Sequence, residues 1–269
     1  MLYIVGTPIG NLKEFSGYAV EILNSCDYVL CEDTRTSLVL LNHYKINKPL
    51  KSYHKFNETK MLEGVISDLK ADKNIALISD AGMPCVSDPG NILVNELIKN
   101  NLKYTVISGP CALINAFILS GFSAPFTFVG FLPEKQKEQI ELLTELKGYK
   151  SALIFYVSCH DVNKTCGYLL NVLGNRKVCI VREISKMFEE VNFSTLEKGY
   201  NGVNKGEFVF VVEGETNNNE LLNLTTLEHL KHYLGLGMNL TDAIKQVAKE
   251  RKVPKNEVYK IALELKKWA

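Results

Sequence analysis

The residues best suited to chemistry lie in one loop, residues 79–90, between a predicted strand and a predicted helix. The loop follows the apolar run Ile75–Ile78 and precedes a stretch whose apolar residues repeat at helical spacing. It holds two glycines, two prolines and the carboxylates Asp80 and Asp88. Glycines let backbone amides approach a ligand at the carboxyl end of a strand, so this composition predicts a ligand-binding loop. An ordinary strand-to-helix turn is the alternative.

Both carboxylates of this loop have a predicted role. Asp80 is predicted to face the ligand, and the alternative is a cap for its own loop. Asp88 is predicted to cap the next helix, with Pro89 at the first helical position, because proline lacks the amide hydrogen that the first turn leaves unpaired.

Three further loops follow predicted strands, at residues 6–10, 31–35 and 108–112. The carboxyl ends of strands in an open parallel sheet face one crevice, so all four loops are expected to meet there. None has the Gly-Lys-Ser/Thr ending of a P-loop or the Gly-x-Gly-x-x-Gly of a dinucleotide-binding fold. The loops carry few cations, which disfavours a triphosphate. They suit a neutral or cationic small molecule held by backbone groups and Asp80.

The elements that must position these loops alternate between short apolar runs and helical patterns across residues 1–123. Such alternation predicts a parallel sheet covered by helices. The predicted strands are 2–5, 28–31, 50–53, 74–79 and 104–107, and the predicted helices are 15–24, 34–44, 58–71, 90–100 and 111–120.

A second series of strands follows Ser123-Ala124-Pro125, with only two clear helices among them, so a sheet of mixed direction is predicted. Asn217–Asn219 marks an exposed turn, and about three helices follow. The chain is therefore predicted to hold two α/β domains, residues 1–123 and 124–223, and a helical carboxyl-terminal tail, residues 224–269. The second series comprises strands 126–131, 151–157, 177–183, 188–193 and 207–213 and helices 135–147 and 161–173.

The composition of the 269 residues narrows the class of protein. No apolar run is long enough to cross a bilayer, and Met1–Val5 lacks the features of a signal peptide. The seven cysteines include no Cys-x-x-Cys pair, which argues against a disulfide framework and a structural zinc site. We expect a soluble cytoplasmic protein without a metal centre.

The net charge of +1 is unevenly distributed along the chain. The tail carries nine Lys and Arg against five Asp and Glu, so it is +4 and the remainder is −3. Lys249, Arg251, Lys252 and Lys255 surround a predicted turn between two helices, an arrangement that resembles a helix-turn-helix unit. The surplus of positive charge predicts that these four side chains contact a polyanion such as RNA. A helical cap over the second domain, or a dimer contact, is the alternative.

Seven short motifs occur in order along the chain: Leu2-Tyr3-Ile4-Val5, Thr7-Pro8-Ile9-Gly10-Asn11-Leu12, Glu32-Asp33-Thr34-Arg35, Ser79-Asp80-Ala81-Gly82, Ser87-Asp88-Pro89-Gly90, Gly130-Phe131-Leu132-Pro133 and Val211-Val212-Glu213-Gly214. Each motif alone is weak, but their ordered combination is highly specific. It resembles the tetrapyrrole-methylase superfamily over nearly the whole chain, and within it the enzymes that methylate small-subunit ribosomal RNA.

The resemblance implies S-adenosylmethionine held between two α/β domains, methyl transfer to the ribose 2′-oxygen of a decoding-centre cytidine, and a homodimer. Glu32, Asp33 and Arg35 lie at a strand end beside the crevice and are predicted to be catalytic, with a surface cap as the alternative. His54 is predicted to contact the substrate, with a plain polar loop residue as the alternative. Cofactor contacts are predicted from Thr7, Pro8, Asp80, Ala81, Gly82, Met83, Cys111, Ala112 and Tyr156.

Two other functions are alternatives to the methylation of ribosomal RNA. A small-molecule methylase acting on a corrin or porphyrin precursor shares the fold, but the basic tail and the Glu32–Arg35 motif argue against it. A non-catalytic RNA-binding module of methylase shape is disfavoured because all the crevice loops are retained.

Overall fold

A five-stranded parallel sheet occupies the amino-terminal part of the computed structural model, which describes residues 1–216, 220–222 and 224–265. Every neighbouring pair of strands in this sheet is parallel, as predicted. The central strands are buried along their length, as expected when helices cover both faces. The strands are β1 (Leu2–Val5), β2 (Tyr28–Cys31), β3 (Leu50–Ser52), β4 (Ile75–Leu77) and β5 (Tyr104–Ile107), in the order β3-β2-β4-β1-β5.

Helices alternate with these strands and form a core on each face of the sheet. Leu23 and Leu41 belong to the core on one face, and Leu69 and Leu93 belong to the core on the other. The helices are α1 (Gly17–Ser25), α2 (Thr34–His43), α3 (Glu58–Lys70), α4 (Asn91–Lys99) and α5 (Ala112–Ser120).

The second sheet is mixed, as predicted. Its first two strands are parallel and its other neighbours are antiparallel. The helices α6 (Gln136–Leu146) and α7 (Val162–Leu173) pack on one face of it. The strands are β6 (Phe126–Phe131), β7 (Ala152–Ser158), β8 (Lys177–Arg182), β9 (Glu190–Thr195) and β10 (Glu207–Val212), in the order β6-β7-β10-β8-β9.

Helix α5 joins the two sheets. Its buried residues Leu113 and Ala116 pack with Ile154 and Val181 on the face of the second sheet opposite α6 and α7. Residues 1–215 form one compact unit for this reason. A division between residues 123 and 124 into separate domains stays a prediction.

Residues 216–269 form a second compact unit of three helices, α8 (Thr226–Gly235), α9 (Leu240–Arg251) and α10 (Lys255–Leu265). Asn239 caps α9, because its side chain accepts a hydrogen bond from the Asp242 amide at 2.9 Å. The turn predicted at Asn217–Asn219 lies outside the described residues. Among the described residues, no helix is both long and apolar enough to cross a bilayer.

Candidate active site

The loops after β1 and β4 are joined directly at the carboxyl edge of the parallel sheet. The Thr7 amide donates to the Gly82 carbonyl at 2.8 Å, and the Gly82 amide donates to the Thr7 carbonyl at 3.1 Å. The buried Thr7 hydroxyl donates to the Ser79 carbonyl at 3.1 Å. These hydrogen bonds fix the loop of residues 79–90 against the loop after β1, because breaking them would leave buried polar groups without partners.

The loops after β1 and β5 approach each other more closely than side chains allow. A Cβ atom at Gly6 would lie 2.7 Å from the Gly109 Cα atom, and a Cβ atom at Gly109 would lie 2.7 Å from Gly6 backbone atoms. Only glycine fits at this contact, so the two residues let the loops meet at one crevice.

A cavity of about 480 Å³ lies between these loops and the second sheet. Its size is within the range of small-molecule sites. Its floor is formed by the loops after β4 and β5, and its far wall by the ends of β6, β7, β8 and β10. The residues that line the cavity include Asp80, Gly82, Met83, Asp88, Ala112, Phe131, Tyr156, His160, Ile184 and Glu207.

The cavity is negatively charged. Asp80, Asp88 and Glu207 line it, and no lysine or arginine does so among the described residues. Burial, together with the nearby carboxylates of Glu32 and Asp80, raises the pKa of Asp88 to about 7. Loss of solvent also raises the pKa of Asp80. A cationic ligand would relieve this repulsion.

Aromatic rings give the cavity a flat apolar surface. The Tyr156 ring lies edge-on to Phe131, with centroids 5.6 Å apart, and edge-on to Phe128 at 5.0 Å. Phe131 is 60% exposed although it lines the cavity, so its ring is available to a ligand. Aromatic faces of this kind suit the rings of nucleosides.

Seven of the nine residues predicted to bind cofactor line this cavity: Asp80, Ala81, Gly82, Met83, Cys111, Ala112 and Tyr156. Thr7 and Pro8 are buried behind the wall and do not line it. Thr7 instead holds the loop after β4 through its backbone and hydroxyl.

The residues predicted to be catalytic lie beside the cavity and contact it through Asp80. The Asp33 amide donates to Asp80 Oδ1 at 3.2 Å. The Asp33 carboxylate caps α2 by accepting from the Arg35 amide at 2.8 Å, and it also binds the Arg35 guanidinium at 2.6 Å. The guanidinium lowers the pKa of Asp33 to about 2. The Arg35 side chain is 89% exposed, so its charge faces solvent at the mouth of the crevice.

Glu32 and His54 occupy the same edge of the sheet. Burial and the Asp80 carboxylate raise the pKa of Glu32, whereas His54 opposes this shift. The His54 Nδ1 atom accepts from the Phe56 amide at 3.3 Å. Phe56 is 92% exposed next to it, which places an aromatic ring in solvent beside the crevice.

The prediction that Asp88 caps α4 is wrong. Helix α4 begins at Asn91 after Gly90, whose φ of +132° suits glycine, and no side chain caps it from that position. The Gly90 amide donates instead to Glu58 Oε2 of α3 at 3.3 Å. A residue from another helix supplies the acceptor, so the Asp88 carboxyl is left to line the cavity.

Of the wall contributed by the second sheet, sequence reasoning predicted only Tyr156. Phe131, His160, Ile184 and Glu207 reach the cavity from four strand ends that are distant in sequence. Phe131 belongs to one of the motifs, but no functional role was predicted for it. The motif Gly130–Pro133 was the available signal, because glycine followed by an aromatic residue at a strand end is typical of a bend toward a ligand.

The residues predicted to bind RNA in the tail differ in their surroundings. Lys249, Lys252 and Lys255 are exposed at the turn between α9 and α10. The Arg251 guanidinium instead donates from Nε to His229 Nδ1 at 3.1 Å and from Nη2 to the Leu221 carbonyl at 2.9 Å. Arg251 therefore stabilises the three-helix unit, and RNA contact by any of the four stays a prediction.

Comparison with known proteins defines the class to which this fold and site belong. Residues 1–198 match the family Tetrapyrrole (Corrin/Porphyrin) Methylases. The chain belongs to that family. This membership supports methyltransferase activity.

Curated relatives extend the likeness beyond the family match. The protein named Ribosomal RNA small subunit methyltransferase I of Halalkalibacterium halodurans is 42% identical over 97% of this chain and 93% of its own length. The protein of the same name from Mycoplasmopsis pulmonis is 44% identical over 78% of this chain and 96% of its own length.

Solved structures share the fold at low identity. Diphthine synthase superposes with a TM-score of 0.64 at 13% identity, over 79% of this chain and 89% of its own. The cobalamin biosynthetic enzyme cobalt precorrin-4 methyltransferase does so with a TM-score of 0.57 at 18% identity, over 78% and 93%. These likenesses concern the fold alone.

Proposed function

We propose that this protein transfers a methyl group from S-adenosylmethionine to the ribose 2′-oxygen of a cytidine in the decoding centre of small-subunit ribosomal RNA. The observation that carries the proposal is the anionic, aromatic-lined cavity at the carboxyl edge of the parallel sheet. The names of relatives at about 40% identity support ribosomal RNA as the substrate. A cytoplasmic homodimer belongs to the same proposal.

The lining residues fit S-adenosylmethionine in charge and shape. A sulfonium is a cation without hydrogen-bond donors, so it is stabilised by nearby carboxylates such as Asp80 and Glu207. The exposed face of Phe131 and the ring of Tyr156 offer apolar surface for an adenine. Gly82, with φ of +86°, leaves the floor of the cavity open because it carries no side chain.

When bound, S-adenosylmethionine supplies a methyl group on a sulfonium that is its own leaving group. The protein's residues then have to orient the acceptor oxygen and keep water away, which is sufficient for much of the rate enhancement. The cavity walls of residues 79–90 and the second sheet define the direction of approach. Asp33 helps to position the loop of residues 79–90, because its backbone amide donates a hydrogen bond to the Asp80 carboxylate.

The mouth of the crevice suits a nucleotide substrate. The Arg35 guanidinium is exposed there and is held in place by Asp33, an arrangement that suits a phosphate contact. The exposed ring of Phe56 beside His54 suits stacking with an unpaired base, which is how proteins usually recognise RNA bases.

The proposal is tested by incubating the protein with labelled S-adenosylmethionine and, separately, small ribosomal subunits, naked ribosomal RNA and porphyrin precursors. We expect label in RNA, at a 2′-oxygen that becomes resistant to alkaline cleavage. Label in a porphyrin precursor alone would establish a small-molecule methylase instead. Binding of RNA without any transfer of label would establish a non-catalytic module.

A second experiment tests the mouth of the crevice. Arg35→Gln is expected to lower turnover on RNA about tenfold or more and to leave cofactor affinity unchanged, because Arg35 lies outside the cavity lining. Lys99→Gln, an exposed cation on α4, is the matched control. Equal loss of cofactor affinity in Arg35→Gln would contradict a substrate role for this residue.

A further inference from the structure

Asp88 occupies an unusual position among the carboxylates of the site. It lines the cavity from the loop after β4 and is half-buried. The ionisable groups around it come from two other elements and from its own loop: Glu32 after β2, Tyr156 on β7, and Asp80 and Cys85 in the loop after β4. All of these are neutral or negative.

The other carboxylates of the lining have partners that Asp88 lacks. Glu207 binds Lys186 Nζ at 2.8 Å, and Asp80 accepts the Asp33 amide at 3.2 Å. Glu32 does not belong to the lining. No cation contributes to the environment of Asp88 among the described residues. Asp88 is therefore the lining carboxylate that faces the cavity without such a cation or amide donor, within the part of the chain that the structure describes.

We propose that Asp88 accepts the proton of the acceptor hydroxyl during methyl transfer. This inference rests on the proposed function, since it concerns the same cavity and reaction. A ribose hydroxyl becomes a good nucleophile only as its proton leaves, and a carboxylate directed into the cavity is suited to take it.

The step balances in atoms and charge. The 2′-oxygen forms a bond to the methyl carbon, and the carbon–sulfur bond breaks with its electron pair on sulfur. The hydroxyl proton passes to an Asp88 carboxylate oxygen and later to water. The positive sulfonium becomes a neutral thioether while the negative carboxylate becomes a neutral acid, so the net charge of the cavity does not change.

The same electrostatics couple cofactor binding to the ionisation of Asp88. A carboxyl with a pKa of about 7 is largely protonated below neutral pH in the ligand-free cavity. A sulfonium placed nearby favours the carboxylate, because an opposite charge lowers the pKa of an acid. Binding of S-adenosylmethionine thus prepares the base, whereas the neutral product S-adenosylhomocysteine does not.

Calorimetry with the full chain tests this coupling without any RNA. Binding is measured at pH 6.5 in two buffers that differ in ionisation enthalpy, first with S-adenosylmethionine and then with S-adenosylhomocysteine. The expected result is release of about half a proton or more with the sulfonium ligand and much less with the thioether. Asp88→Asn should bind both ligands with no difference in proton release.

Glu21→Gln is the matched control, because it removes an exposed carboxylate of α1 outside the lining and should keep the difference between the ligands. Unchanged proton release in Asp88→Asn would overturn the proposal, as would equal release with the two ligands in the wild type. Failure of the wild type to bind S-adenosylmethionine would overturn the proposed function itself, so the two failures are distinguishable.

Activity on small subunits gives the second measurement. Asp88→Asn should lower single-turnover methylation about 100-fold or more at saturating cofactor and remove the acidic limb of its pH profile. Asp88→Glu should restore part of the rate, because it restores a carboxylate. A rate in Asp88→Asn within a few-fold of the wild type, in a protein with unchanged melting temperature, would overturn the assignment.

Discussion

The Asp88 carboxyl loses solvent and gains two negative neighbours when the protein folds. Burial and the carboxylates of Glu32 and Asp80 raise its pKa from 3.8 to about 7. When folding raises the pKa of an acid, ionisation of that acid lowers the free energy of unfolding. The functional environment of Asp88 therefore costs stability at neutral and alkaline pH.

This cost predicts the effect of Asp88→Asn on unfolding. At pH 8 the variant is expected to be more stable than the wild type by about 1–2 kcal/mol, after allowance for partial solvent screening. The gain should disappear as the pH falls from about 7 to 4, where the native carboxyl is protonated. Urea unfolding at both pH values measures it.

Asp68→Asn provides a control of opposite sign. Asp68 accepts hydrogen bonds from Lys73 Nζ at 2.7 Å and from the Tyr28 hydroxyl at 2.9 Å, and these partners lower its pKa. Its replacement should cost stability at pH 8 and little near pH 3. Destabilisation by Asp88→Asn at pH 8 would contradict this account of the cavity.

Protonation of His229 in the tail is expected to lower stability, whereas protonation of Asp88 is expected to raise it. The His229 ring is fully buried, accepts from Arg251 Nε at Nδ1 and contacts Glu250 Oε2 from Nε2 at 2.8 Å. Because Nδ1 is an acceptor, the ring is neutral with its proton on Nε2. Burial lowers its pKa below 6.5.

Acidification should accordingly destabilise the tail. A histidine with a lowered pKa contributes its full stability above pH 6.5 and loses it as the pH falls, because the unfolded ring takes up the proton first. Helical circular dichroism and ring proton shifts between pH 7.5 and 5 would measure this. His229→Gln should remove the dependence, and an unchanged pH profile in that variant would contradict it.

The contact between the loops after β1 and β5 depends on two glycines at one crossing. Backbone atoms of Gly109 lie 2.7 Å from the position of a Cβ atom at Gly6. Backbone cannot move aside as a flexible side chain can. Gly6→Ala is therefore expected to lower the free energy of unfolding by about 2 kcal/mol or more and to weaken cofactor binding through displacement of the loop.

Gly64→Ala in α3 is the matched control for this substitution. Its Cβ atom would meet nothing within 4 Å, and the residue lies in a helix interior. Alanine there should stabilise the protein by about 1 kcal/mol because it reduces the freedom of the unfolded chain. Equal effects of the two variants in thermal unfolding would contradict a special role for the glycine crossing.

The surplus positive charge belongs to the tail, whereas the residues that line the cavity all belong to the unit of residues 1–215. The tail is +4 and residues 1–223 are −3. An RNA backbone gains attraction from exposed cations, because each neutralised phosphate releases a counterion. Lys249, Lys252 and Lys255 are exposed, whereas Arg251 binds His229 and backbone carbonyls. The three lysines and Arg251 therefore call for separate experiments.

Replacement of Lys249, Lys252 and Lys255 by glutamine should weaken RNA binding and reduce the salt slope by about 2 logarithmic units. Cofactor affinity should not change. Titrations of RNA at several salt concentrations measure the slope. Lys231, Lys245 and Lys260, exposed elsewhere on the tail, form a control of equal charge change. Parallel slopes for all three proteins would end the RNA-binding interpretation of this turn.

Arg251→Gln is predicted to act differently from the lysine variants. It removes donors to His229 and to the Leu221 carbonyl, so it should lower the melting temperature of the tail. An effect on salt slope without a loss of stability would instead assign Arg251 to RNA contact.

The order of elements and the crevice loops were predictable from sequence because they depend on local patterns. Apolar runs and helical spacing predicted the strands and helices of both sheets, and the parallel order brings the carboxyl ends of β1, β2, β4 and β5 to one edge. The motifs include Asp80 and Gly82, the family resemblance adds Tyr156, and all three line the cavity. Local sequence was sufficient for these features.

Only the tertiary structure decided the roles of Asp88, Thr7 and Arg251. Glu58 of α3 accepts the Gly90 amide, so Asp88 is not needed as a cap and faces the cavity instead. Thr7 binds the loop after β4 behind the cavity wall, and Arg251 binds His229 from another helix. A side chain's partners come from elements distant in sequence, and its pKa depends on all the charges and solvent around it. The spacing of residues along the chain therefore predicts neither the distant partners of a side chain nor its pKa.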